Sequence, residues 1–131
     1  MLTRLFVFTL ALFAALPALA DSFWDHNGSL MRLTANGQAR SFTYAAPRPG
    51  MVEVGVRPGT LFFNGYRDGN LYYGTARVFS DRCGANTFHI EGWLTSETHM
   101  VLEGWRPVFR NCRPTSQKVW ERLEFTYRYS D

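Results

Sequence analysis

The segment "WDHNGS" places Asp25, His26 and Ser29 within five residues, the side-chain types of an acid, a base and a nucleophile. A hydrolytic triad needs those groups to converge from distant parts of the chain, and no Gly-x-Ser-x-Gly elbow accompanies them. Asn27-Gly28 is instead a favoured turn pair, so the segment reads as a turn leading into the first strand. A second set, His89, Glu91, His99 and Glu103, could offer imidazole and carboxylate ligands from one sheet face. Its spacing matches no zinc pattern, and the four read as solvated side chains. No glycine-rich loop opens a helix that could cradle phosphate. These residues nominate no catalytic group, no metal ligands and no cofactor, so the expected protein is not an enzyme.

Aromatic side chains supply the remaining candidates. The chain holds four Trp, six Tyr and eleven Phe, more than a small core alone asks for. Trp93, Trp105 and Trp120 alternate along their segments with apolar residues and share the polar-looking faces with His, Glu, Arg and Lys. Flat rings beside hydrogen-bonding side chains suit sugars or protein partners, because rings shed water at little entropic cost while polar neighbours set orientation. Trp93, Trp105, Arg106 and Trp120 are therefore the expected contact surface. The alternative is that a second layer covers these tryptophans and makes them core.

The elements that must position them are strands. In "SLMRLTANGQARSFTY", centring a two-residue turn on Asn36-Gly37 pairs Leu33 with Arg40, Met31 with Phe42 and Ser29 with Tyr44. In "TLFFNGYRDGNLYYGTARVF", the same treatment of Asp68-Gly69 opposes Phe63 to Gly74, Leu61 to Ala76 and Gly65 to Tyr72. A third hairpin joins "TFHIEGW" to "HMVLEGWRP" and puts Phe88, Ile90, Met100 and Leu102 on one face, with His89 near Glu103 and Trp93 near His99. Between two copies of Arg-Pro-Gly, "MVEVGV" alternates Val52, Val54 and Val56, which predicts a short strand bracketed by turns. The last segment, "QKVWERLEFTYRY", alternates Val119, Leu123, Phe125, Tyr127 and Tyr129 against polar residues, with Glu121 the one exception on the apolar face. Its β-forming residues favour a long strand over a helix across 117–124. About eight strands without an amphipathic helix predict an all-β domain, either an antiparallel barrel or a two-sheet sandwich.

Compartment and size follow from the ends and the cysteines. "MLTR", the twelve-residue apolar run "LFVFTLALFAAL", Pro17 and "ALA" form the three regions of a secretory signal peptide over residues 1–20. The apolar run is too short for a stable membrane span, which takes about twenty residues. Residues 21–131 are then a single domain, periplasmic or secreted. The full chain has 14 basic and 11 acidic residues; one of the basic residues, Arg4, falls in the leader. Charges alternate in sign along the rest, which argues against a nucleic-acid partner. Cys83 and Cys112, the only cysteines, are an even count in an exported chain and are expected to pair. Closing a loop of that length contributes roughly 3 to 4 kcal/mol in the chain-entropy description.

The elements "WDHNGS", "PRPGM", "RPGTLFFNG", "GTARVF" and "RCG" resemble those of small exported alphaproteobacterial proteins and domains of unknown function, over most of residues 21–131. The resemblance implies export and a compact β domain and transfers no site residue. Together these readings predict a non-catalytic binding module of the bacterial envelope, with a glycan such as peptidoglycan or an exported protein as partner. Two other classes stay open. One is a small inhibitor of a lysozyme-type enzyme acting through "RPVFRNCRPTS", residues 106–116; the other is a hydrolase built on His26 or the His/Glu group.

Overall fold

A computed structural model describes residues 20–131, so the leader read over residues 1–20 lies outside the described residues except for Ala20. Eight strands follow one another: β1 Ser22–His26, β2 Ser29–Asn36, β3 Ala39–Ala46, β4 Leu61–Asp68, β5 Leu71–Ser80, β6 Gly84–Ser96, β7 His99–Arg110 and β8 Arg113–Ser130. Each pairs antiparallel with the next, and β1 also pairs with β8, so the sheet closes into a barrel in simple up-and-down order. Closure gives every strand a hydrogen-bonded neighbour on both sides over the body of the barrel. The sandwich alternative is thereby excluded.

The barrel is filled with side chains. Phe42, Phe63, Ile90, Met100, Leu102 and Phe125 are fully buried inside it, and Phe42 stacks on Phe125 with ring centroids 4.3 Å apart. This matches the general size relation for eight strands, whose interior holds either packed side chains or one small ligand. Strand alternation supplies these residues from every second position, as expected for Phe88, Ile90, Met100 and Leu102 and for Leu123 and Phe125 in β8, which is a strand throughout.

Two expectations are corrected. The segment "MVEVGV" is not a strand; it forms one 3₁₀ turn, Val52–Val54, between β3 and β4. β3 already pairs with β4, with Thr43 opposite Leu61, so no sheet edge is left to hydrogen-bond an intervening strand. The loop bonds to itself instead, through Val54 N to Met51 O and Gly55 N to Val52 O. Of the three valines only Val56 is buried, while Val52 is 52% exposed. The eighth strand comes from β1, the segment read as a lead-in turn: Asn27 and Gly28 do form that turn at its end, both at positive φ.

The hairpin registers are each displaced by two residues. Leu33 faces Phe42, Met31 faces Tyr44 and Ala35 faces Arg40 in the first. Phe63 faces Ala76 and Gly65 faces Gly74 in the second, and Glu91 faces Glu103 in the third, with Trp93 opposite Val101 rather than near His99. In the first two, Asn36 and Asp68 are the last strand residues, and Gly37 and Gly69 open the turn with φ of 59° and 58°. Glycine at the first central position is the II′ arrangement rather than I′. A slip of two preserves which face each side chain takes, so the buried set survives the error.

Cys83 and Cys112 are bonded, with Cα atoms 5.3 Å apart. The bond joins two hairpin arms. Hydrogen-bonded pairing between β6 and β7 stops at Glu91 and Glu103 although the strands run on to Gly84 and Arg110. Beyond that point the β5/β6 arm and the β7/β8 arm separate, and the disulfide ties their tips. Such a bond fits an oxidising compartment. Among the described residues no helix is long and apolar enough to cross a membrane.

Candidate functional site on the outer face of the barrel

On β6, β7 and β8 the residues between the core positions face outward. The register aligns them in rows: Glu91 is opposite Glu103, which is opposite Arg122, and Trp105 is opposite Trp120. Trp93 sits between Leu71 of β5 and Val101 of β7. Trp93, Trp105 and Trp120 are 58%, 61% and 51% exposed, whereas the fourth tryptophan, Trp24, is buried inside the barrel. The second-core alternative is thus overturned: these three rings are on the surface.

Their arrangement makes a shallow groove. Trp93 and Trp120 border a depression of about 560 Å³ whose floor is formed by Glu91, Val101, Glu103 and Arg122. Trp105 leans on Trp120 edge to face, with centroids 5.1 Å apart, a geometry that fixes the Trp120 ring through the quadrupoles of both indoles. The band continues onto β4 and β5, where Tyr66 and Tyr73 are exposed with centroids 5.9 Å apart, and Tyr73 lies opposite Glu91. These two tyrosines were not nominated from the sequence. Alternation along β4 and β5 put them outward, but only the correct register brings Tyr73 beside Glu91.

The charges on the floor are partly matched. Arg122 Nε donates to Glu103 Oε1 at 3.1 Å, and its Nη1 contacts Glu124. Glu91 has His89 as its neighbour at 3.6 Å, and it faces the like charge of Glu103 directly across the ladder, a pairing that costs stability. Glu91 therefore keeps acceptor capacity for a hydroxyl or amide brought by a ligand.

Arg106 is not part of this surface. It alternates with Trp105 and points to the inner side, where its Nε donates to Glu121 Oε1 at 2.7 Å. The same bond accounts for Glu121, the polar exception on the apolar face of β8.

No family model, curated protein or solved structure matches this chain. Site chemistry therefore rests on geometry alone. The triad types are separated by strand alternation: Asp25 faces outward near Arg128, while His26 faces inward. His26 stacks on Phe125 and its Nδ1 lies 2.8 Å from the carbonyl oxygen of Glu124, so Nδ1 carries the proton. Burial lowers its pKa to about 4, keeping the ring neutral near pH 7. Ser29 Oγ accepts from the Arg48 backbone N–H at 3.0 Å. Asp25, His26 and Ser29 thus each serve a local structural contact. Among the described residues no three His, Cys, Asp or Glu side chains converge as a metal site, and His99 lies opposite Thr126, away from the Glu91 to Glu103 row.

Proposed function

We propose that this protein is a non-catalytic, exported binding module whose outer-face groove holds a glycan of the bacterial envelope. The observation that carries the reading is the pair of exposed indoles, Trp93 and Trp120, bordering a floor of Glu91, Glu103 and Arg122. Indole faces cover the apolar C–H faces of a sugar ring, and carboxylate and guanidinium groups bond its hydroxyls in directions that select orientation. Three tryptophans more than half exposed leave apolar surface in water, which is what a binding site supplies. The floor carries more negative than positive side chains, which favours sugars presenting uncharged faces over acidic polysaccharides. Titrating residues 21–131 with peptidoglycan fragments and envelope polysaccharides while following tryptophan emission tests this. A saturable change is expected; a flat response to every glycan at millimolar concentration contradicts it.

A second reading, an inhibitor of a lysozyme-type enzyme, is supported by the β7/β8 tip. There the disulfide anchors an exposed turn in which Asn111 and Cys112 both take positive φ and Arg110 and Arg113 stand side by side. A rigid basic tip suits insertion into an acidic active-site cleft. Slowing of lysozyme by micromolar protein would favour it over the glycan reading, and an unchanged rate would remove it.

A further inference from the structure

A second concave site lies at the barrel end beneath the loop between β3 and β4. It is a cavity of about 410 Å³ with an apolar lining that includes Met51, Val54, Phe62, Phe79, Phe88 and Leu123. Volumes of this order suit a small molecule. Its wall takes Arg77, Val78 and Phe79 from β5 and Glu121 and Leu123 from β8, strands whose hairpin tips the Cys83–Cys112 bond joins.

Four polar groups on the cavity wall are left available. Arg48 and Arg77 both line it. Among the described residues neither guanidinium has a carboxylate partner, and the sole side-chain hydrogen bond of Arg77 is from Nη1 to Thr75 O at 3.3 Å. Partial burial pulls the Arg77 pKa down from its usual value. The one acid on the wall, Glu121, is already engaged by Arg106. Tyr44 and His26 complete the set. With the His26 Nδ1 proton committed to Glu124, Nε2 keeps a lone pair. Among the described residues neither Nε2 nor the Tyr44 hydroxyl has a hydrogen-bond partner, yet no buried side-chain polar atom there is orphaned. Both atoms therefore touch the cavity space. The Tyr44 hydroxyl stays protonated, its pKa raised to about 12 by burial, and can donate.

We infer that this cavity binds a small amphiphilic carboxylate, its apolar body against Phe62, Phe79 and Phe88 and its anionic head met by Arg77, Arg48 and the Tyr44 hydroxyl. Guanidinium and carboxylate groups match in geometry and form charge-assisted bonds. A neutral ligand would leave two cations unpaired, and a cationic one would add to their repulsion. The site is independent of the outer groove: Trp93, Trp105 and Trp120 belong to the opposite face of the sheet and do not line it.

Octanoate, octanol and octyltrimethylammonium share one tail and differ in head charge, so isothermal calorimetry with the oxidised chain, residues 21–131, separates the chemistry. Octanoate is expected to bind saturably, at least ~10-fold more tightly than octanol, with no heat from the cation. Arg77→Gln should weaken octanoate at least ~10-fold, and Arg77→Lys should recover part of the loss. Arg48→Gln, in an exposed loop where folding is not at stake, should weaken it by a smaller factor. Trp93→Ala and Trp105→Ala should leave octanoate binding unchanged, which keeps this site distinct from the groove. No saturable octanoate binding up to ~1 mM, equal affinity for octanol, or indifference to both arginine substitutions would overturn the inference.

Discussion

β7 and β8 present two faces built from similar residues with opposite fates. Inside, Leu102, Leu123 and Phe125 are sealed in the core; on the other face of the same strands, Trp105 and Trp120 stand more than half exposed. The inner rings are held by contacts on all sides, as in the Phe42 to Phe125 stack, whereas the outer pair touch mainly each other. Stability of the barrel thus depends on the inner face, and the outer aromatics are free to be used for recognition. The contrast also separates two kinds of site: an open groove of indoles and partly matched charges outside, and, at the barrel end, a cavity whose arginines have no carboxylate partner among the described residues.

Substitutions on the two faces should divide sharply. Phe125→Ala removes a fully buried ring that packs against Phe42, Phe62 and His26, and chemical denaturation should show a loss of about 3 to 5 kcal/mol. A loss under ~1 kcal/mol would mean that the inner face is not the source of stability.

Acid should act through the inner face as well. His26 has its folded-state pKa lowered to about 4 from 6.5 by burial, so between those values the unfolded chain binds a proton that the folded chain refuses. Stability contributed by the neutral ring is present above pH 6.5, falls as pH drops, and is fully lost below about pH 4. The shift corresponds to on the order of 3 kcal/mol, and His26→Gln should flatten the pH dependence of the denaturation midpoint across this window.

The interior also tests the backbone. A Cβ added at Gly92 would sit 1.9 Å from the Val101 carbonyl oxygen, so Gly92→Ala must move β6 away from β7. A loss of about 1 to 3 kcal/mol is expected by thermal melting. Since Gly92 borders the outer groove from beneath, glycan affinity should fall with it.

The smallest effect belongs outside. Trp105→Ala should change stability by less than ~1 kcal/mol, and a double-mutant cycle with Trp120→Ala should return a coupling of about 0.5 to 1 kcal/mol for the edge-to-face pair. A loss matching that of Phe125→Ala would erase the distinction between the faces.

Much of this contrast was legible in the residues before any coordinates. Period-two alternation identified Phe88, Ile90, Met100, Leu102 and Phe125 as inward and the three tryptophans as sharing polar faces, because side-chain direction in a strand depends only on parity. What alternation does not carry is the partner across the ladder. The Asn-Gly and Asp-Gly pairs each admit two turn placements, and the II′ form moved the partners in those two hairpins by two; in the third, a register shift between Leu94 and Ser96 hid the pairing of Glu91 with Glu103. "MVEVGV" misled for the same reason: its valines alternate, but a strand also needs a free edge, and β3 had given its edge to β4. Arg106 was grouped with its sequence neighbour Trp105, although adjacent strand residues face opposite ways. The barrel-end cavity needed the loop fold, the separated arms and the His26 tautomer together, none of which is local in sequence.

The central claim, that the outer indoles bind a glycan, is tested most directly by calorimetric titration of residues 21–131 with soluble peptidoglycan fragments. The unsubstituted chain would be compared with a Trp93→Ala, Trp120→Ala double variant. The expected result is saturable binding by the former and at least a ~10-fold loss in the latter, with melting temperatures that agree within a few degrees. Equal affinity in both proteins, or no binding by the unsubstituted chain up to ~1 mM, would contradict the account.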